Sequence, residues 1–190
     1  MFIIRGDWML YIYLTIGFVF FIIIIAICIH NQIMNIEKIQ IKINEAENNI
    51  NILLEKKLNL LSNISKTINA KNKEKVLVEL PKIKNKKLEI FDLINESSKL
   101  NKELNNFIED NNYILSDEED SLMKDLYNTN LEINAIIDYY NLNSDLYNKT
   151  IKKPTYLFTR IIKRFVKKEK ILVEKEVEFE ILKQNNNDNS

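Results

Sequence analysis

Residues 31–69 read NQIMNIEKIQIKINEAENNINILLEKKLNLLSNISKTIN, and their periodicity decides the fold. Ile36, Ile43, Ile50 and Ile64 stand at one heptad position, which Lys57 interrupts. Ile39, Ala46, Leu53 and Leu60 stand at the other. Apolar residues alternating three and four apart share one helical face and form a seam against a partner. The repeat runs over four heptads, which marks a coiled-coil or bundle seam. Both glycines, Gly6 and Gly17, precede it, and the first proline is Pro81. Nothing breaks the backbone between them, so the helix is predicted to continue upstream.

Upstream, residues 8–29 carry no charge and are apolar almost throughout. A membrane-spanning helix needs about 20 such residues, at 1.5 Å each, to cross roughly 30 Å of hydrocarbon. Trp8, Tyr11 and Tyr13 cluster at one end, where aromatic rings favour the headgroup level. The run is longer than a signal-peptide core, and His30-Asn31-Gln32 follows it instead of a small-residue cleavage site. An uncleaved anchor is expected, with Cys28 a small hydrophobe inside it and His30 an interfacial polar residue. Arg5 precedes the span and Lys38 and Lys42 follow it. The slight downstream excess points to a short external N-terminus over 1–7 and a cytoplasmic body.

Downstream, residues 69–73 lose the pattern and predict the first turn. A second helix follows over about 74–109, with Leu77, Leu80, Phe91, Ile94, Leu104, Phe107 and Ile108 as its core. Pro81 either kinks this helix or begins it. Ser116 and Glu119 have capping-box spacing at the start of a third helix, 117–152, and the acidic run Asp117 to Asp120 suits its dipole. Leu126, Ile133, Tyr140 and Tyr147 repeat there at seven-residue steps, with Leu122, Ile136, Ile137 and Ile151 beside them. Pro154 stops it. A fourth amphipathic helix over 155–169 carries Leu157, Phe158, Ile161, Ile162 and Phe165 on one side and Arg160, Lys163, Arg164 and Lys167 largely off it, with Lys168 next in the basic run. Three legs of equal length put Pro154 at the end far from the bilayer. The preferred reading therefore has this helix closing the bundle with its lysines reaching to water, and membrane or partner contact is the alternative. Residues 171–190 read as an arm, with alternation over Val177–Ile181, and a disordered tail. The fold class is thus all-α: an N-terminal transmembrane helix continuing into an antiparallel bundle of three to four long helices over 31–170.

The composition excludes much chemistry. Two glycines, both at or before position 17, leave no phosphate loop or dinucleotide fingerprint. One cysteine and one histidine give neither a disulfide framework nor a thiolate-imidazole zinc site. With 27 basic and 27 acidic side chains the net charge is zero, against non-specific nucleic-acid binding. No cofactor, metal or catalytic residue is expected, and the chain reads as non-enzymatic. Richness in Asn, Ile and Lys fits an AT-rich bacterial genome. Tyr140-Asn141 and Tyr147-Asn148 recur seven apart and read as polar core packing that fixes register. The other reading makes these four residues the lining of a ligand pocket.

These features resemble the LemA family of bacterial membrane-anchored proteins. Lys56-Lys57-Leu58-Asn59-Leu60-Leu61-Ser62-Asn63-Ile64 looks like the family's R-x-D-L-I-P-N-L segment. Tyr140-Asn141, Tyr147-Asn148, Ile151 and Pro154 are similar to its paired Tyr-Asn segment, and Arg164-Phe165-Val166-Lys167-Lys168 to its aromatic-basic element. Ser62 stands where the family has Pro, and Asn59 where it has Asp. The interval from Asn148 to Pro154 is one residue short. The resemblance implies a single-pass inner-membrane protein with an antiparallel helical bundle and a small external N-terminus, whose molecular role is not well established. The motif residues Lys57, Asn59, Leu60, Asn63, Tyr140, Asn141, Tyr147, Asn148, Ile151 and Pro154 are the family-like structural or interaction positions. The function expected is a scaffold or protein-interaction module with unidentified partners. A ligand-sensing bundle and an oligomeric coiled-coil assembly protein are the alternatives.

Overall fold

The computed structural model describes residues 4–72, 75–86 and 88–172. The expected strand or arm at Val177–Ile181 and the polar tail lie outside these residues. The described chain is all-α. Helix α1 runs over Ile4–Lys71, α2 over Leu80–Asn85, α3 over Ile90–Asp110, α4 over Asp117–Lys152, a 3-10 turn over Pro154–Tyr156, and α5 over Leu157–Ile162. The order is a long N-terminal apolar helix followed by a helical bundle. The chain divides into two compact units: residues 1–42 with 143–169, and residues 43–142 with 170–190.

In the first unit, residues 8–28 of α1 are all exposed, and burial begins beyond them at Ile36 and Ile39. The helix is long and apolar enough to cross a membrane. Residues 32–37 then meet the segment that follows α4. Asn35 Nδ2 donates to the Tyr156 hydroxyl at 3.0 Å, Thr159 Oγ1 donates to Gln32 Oε1 at 2.5 Å, and Lys163 pairs with Glu37.

In the second unit, α1 and α4 run antiparallel. Lys71 meets Glu119 at 2.9 Å, and Lys56 lies 4.0 Å from Glu132. The expected single helix over 74–109 is instead two pieces. Lys84 Nζ reaches Asn59 Oδ1 at 2.7 Å, so the stretch from Val76 to Lys84 descends beside α1. Pro81 lies in the first turn of α2, where a missing N–H costs nothing. Helix α3, which follows, climbs back, parallel to α1, from Ile94 near Leu54 to the turn at Tyr113. The sequence-based path had one leg here where the structure has two.

The seam of α1 also drifts. Ile36, Ile39, Ile43, Ala46 and Ile50 are buried as expected. Beyond them Leu54, Leu58, Leu61 and Ile68 are buried, while Leu53 and Leu60 are only half-buried. A straight helix of 3.6 residues per turn slips about 20° per heptad against a 3.5 repeat, so the buried stripe moves one residue along. Leu58, Leu61, Ile64, Ile68, Leu77, Leu80, Leu100, Leu104, Ile108 and Leu126 make one apolar cluster. Phe91 stays outside it at the surface.

With no glycine past position 17, the turns use other residues. Asn112 adopts φ 47°, while Tyr113 N–H donates to the Ile108 carbonyl at 2.9 Å and Asn112 N–H to that of Glu109 at 3.1 Å. This is a Schellman closure of α3, with asparagine at the left-handed position that glycine usually fills. Tyr113 packs its ring against Phe107, with centroids 6.0 Å apart.

Candidate functional site

Heptad spacing turns Tyr140 and Tyr147 inward on α4, and both are buried. Tyr147 meets the ring of Phe165 edge-on, centroids 6.4 Å apart at 88°, and burial raises its phenol pKa. Each following asparagine grips main chain. In the first unit, Asn148 Nδ2 donates to the Lys168 carbonyl at 2.8 Å, and Lys168 N–H donates to Asn148 Oδ1 at 3.0 Å. In the second unit, Asn141 treats Ile171 in the same way, at 2.8 and 2.9 Å. A carboxamide carries the same donor and acceptor as a peptide group, so it replaces a neighbouring strand. Asn69 does this a third time, gripping both main-chain groups of Val76 at 2.7 and 3.1 Å.

This pairing explains why the expected fourth helix over 155–169 is cut short. Helix α5 ends at Ile162, and residues 164–172 are not helical. The N–H and C=O groups of Lys168 and Ile171 are spent on asparagines, so an α-helical ladder has no claim on them. The Tyr-Asn repeat therefore packs rings and holds a returning strap. Both carboxamides are engaged by the chain itself, which leaves neither open to a ligand while the strap is in place.

The Lys57 segment is a separate place in the second unit. Lys57 is 3% exposed and lines a cavity of about 10 Å³ with Leu54, Ile94, Ser97, Ser98, Asn130, Ile133 and Asn134. That is room for a single water. Asn130 Oδ1 is buried there with no hydrogen-bond partner. Asn59 is exposed and accepts from Lys84, Leu60 is half-buried against the apolar cluster, and Asn63 is exposed with its carbonyl 3.4 Å from Thr67 Oγ1.

The capping box is present and does more than cap. Ser116 N–H and Oγ both donate to Glu119 Oε2 at 2.8 Å. Lys71 Nζ at 2.9 Å and the Tyr113 hydroxyl at 3.1 Å donate to Oε1. Glu119 is fully buried, so within the acidic run it does more than match the helix dipole. Burial alone pushes its pKa up. The Ser116 N–H, Lys71, the Ser116 hydroxyl and Tyr113 outweigh that and bring it down to about 2. Asp120 pairs with Lys124 at the surface. Among the described residues no cluster of His, Cys, Asp and Glu is arranged to hold a metal ion.

Ile151 is buried, and Pro154 opens the 3-10 turn at the surface. Arg160, Lys163, Arg164 and Lys167 are exposed, and Lys168 is half-buried. The far-end placement of Pro154 is corrected here. Tyr156 and Thr159 stand beside Asn35 and Gln32, a few residues past the apolar run. The apolar side of α5 does not close a bundle. Phe158, Ile161 and Ile162 are 65%, 71% and 62% exposed, and the buried residue is Thr159. Sequence reading missed Gln32, Asn35 and Thr159; the signal for the first two was polar residues three apart directly after the apolar run.

The fold and these sites define an all-α protein with an apolar N-terminal helix and a bundle braced by asparagine clamps. No protein-family model, curated protein or solved structure matches the chain.

Proposed function

We propose that this chain is a non-enzymatic, single-pass protein of the LemA kind in a bacterial inner membrane, whose cytoplasmic bundle is a scaffold for protein partners. The observation that carries the interaction role is an apolar stripe on α4. Leu131, Tyr139, Leu142 and Leu146 are 50%, 43%, 69% and 48% exposed, and with exposed Ala135 they follow steps of four, four, three and four. That spacing keeps them on one face, opposite in kind to the buried Ile133, Ile137, Tyr140 and Tyr147. An exposed apolar helix face of this length is a signature of protein contact. The charge-free run at 8–29 supports the anchor, and the paired Tyr-Asn spacing supports the family.

A photo-reactive side chain placed at Leu142, in the full chain in native membranes, is expected to give a discrete protein adduct. An adduct with a second copy assigns a homo-oligomer. Lack of adducts at 131, 139, 142 and 146 alike would overturn the scaffold reading, as would a turnover activity lost on one point change. Alkaline carbonate is expected to leave the chain in the membrane pellet, and its release would remove the anchor.

A further inference from the structure

Helix α5 is amphipathic, yet it is seated the wrong way round for a protein core. On a helix, Leu157, Phe158, Ile161 and Ile162 fall within an arc of about 140°. All four are exposed, between 48% and 71%, and Val166 just beyond them is 77% exposed. Thr159, off that arc, is fully buried and bonded to Gln32. Burying a threonine while four large hydrophobic side chains face outward is unfavourable in water, where apolar area drives burial. A second apolar medium removes the contradiction.

The position of α5 supplies that medium. Tyr156, Thr159 and Lys163 are fastened to Asn35, Gln32 and Glu37 of α1, within one compact unit. Gln32 follows Ile29, the last residue of the apolar run, by three residues, or about 5 Å of helix rise. Interfacial helices bury their apolar faces roughly 5–10 Å into the headgroup and acyl boundary, which is the level this places α5. The charge agrees. From Lys152 to Lys168 there are seven Lys and Arg residues and no Asp or Glu.

We propose that residues 154–166 lie on the anionic phospholipid surface of the membrane that α1 enters. Leu157, Phe158, Ile161 and Ile162 enter the acyl boundary, and Arg160, Arg164 and Lys167 engage lipid phosphates. This rests on the reading of residues 8–29 as a span. The segment then fixes the end of α4 against the bilayer.

The test uses the full chain with Cys28→Ser, carrying one nitroxide at Ile161→Cys or at Phe20→Cys, in nanodiscs. One set is phosphatidylcholine and the other is a phosphatidylcholine–phosphatidylglycerol mixture. Collision with oxygen reports lipid, and collision with a nickel chelate reports water. The label at 161 is expected to be oxygen-accessible and nickel-protected in the anionic discs. That protection should be lost in zwitterionic discs and in a variant with Arg160→Gln, Arg164→Gln and Lys167→Gln. A lipid-buried label at 20 with a water-exposed label at 161 overturns the proposal and leaves the span intact. A water-exposed label at 20 overturns the span reading first, and the proposal with it. Protection at 161 from both agents assigns the face to a protein contact and overturns the lipid role. Protection that is the same in both lipids and in the triple variant overturns the anionic requirement.

Discussion

Asn148 holds the main chain of Lys168 by both of its polar groups, accepting from its N–H at 3.0 Å and donating to its carbonyl at 2.8 Å. Asn141 repeats the arrangement on Ile171. Seven residues of helix rise about 10.5 Å and three residues of extended chain about 10 Å, so seven-residue spacing on α4 suits three-residue spacing on the strap. A carboxamide suits the pair because it sets a donor N–H and an acceptor oxygen side by side, as a peptide group does. Asn148→Asp keeps the shape and the acceptor but turns a second acceptor onto the Lys168 carbonyl. It is expected to cost about 2 kcal/mol, within the range for an unpaired buried polar group. Hydrogen exchange should speed up at the Lys168 amide, and Asn141→Asp should do the same at Ile171. Unchanged protection at both amides would remove the strap from the account.

Glu119 makes stability depend on pH on the acid side. Its folded pKa is about 2, below the ordinary 4.5. A carboxyl lowered on folding contributes stability that is complete above the unfolded value and disappears as pH falls through the folded one. The window is therefore pH 4.5 down to about 2, and the contribution at neutral pH is about 3 kcal/mol. Urea unfolding of the full chain in detergent should show stability falling across that window. Glu119→Gln should lower stability at pH 7 by about 2 kcal/mol and flatten the acid limb. An acid limb unchanged in the variant would place the titrating group elsewhere.

Asn112 sits at φ 47°, exposed, in the closure that ends α3. Glycine takes this conformation without a Cβ penalty, and alanine does not. Asn112→Gly is expected to leave stability unchanged or raise it by about 0.5 kcal/mol, and Asn112→Ala to lower it by about 1 kcal/mol. Thermal unfolding midpoints of the two variants should differ in that order. The reverse order would mean that the asparagine side chain, and not its backbone, holds the turn.

Much of this architecture is legible in residue spacing. Ile36, Ile43 and Ile50, and then Leu126, Ile133, Tyr140 and Tyr147, announce helices and their inner faces, because burial has the period of the helix. Direction is not encoded that way. The core of residues 77–108 reads the same whether the chain passes once or doubles back between α2 and α3. The side of α5 that is apolar was legible, but not what it faces, since lipid and protein core select the same residues. The strap escaped because its partners are main-chain groups, which no side-chain pattern records. The buried Glu119 escaped because an acidic helix start looks the same whether solvated or paired.

Lys57 tests whether the motif segment carries its amine for stability. Its side chain is buried among Leu54, Ile94 and Ile133, at a position where the seam calls for an apolar residue. A buried amine costs desolvation, which the polar contacts it makes offset. Removing one member of a buried polar pairing strands the other, so Lys57→Met is expected to lower stability by about 2 kcal/mol. Lys57→Ala also removes the stem and enlarges the cavity, at a further cost of about 2 kcal/mol. Urea midpoints of the two variants separate the terms. If Met loses as much as Ala, the amine carries the whole contribution. If Met matches the unsubstituted chain, the amine contributes nothing to folding and the seam tolerates an apolar residue at 57.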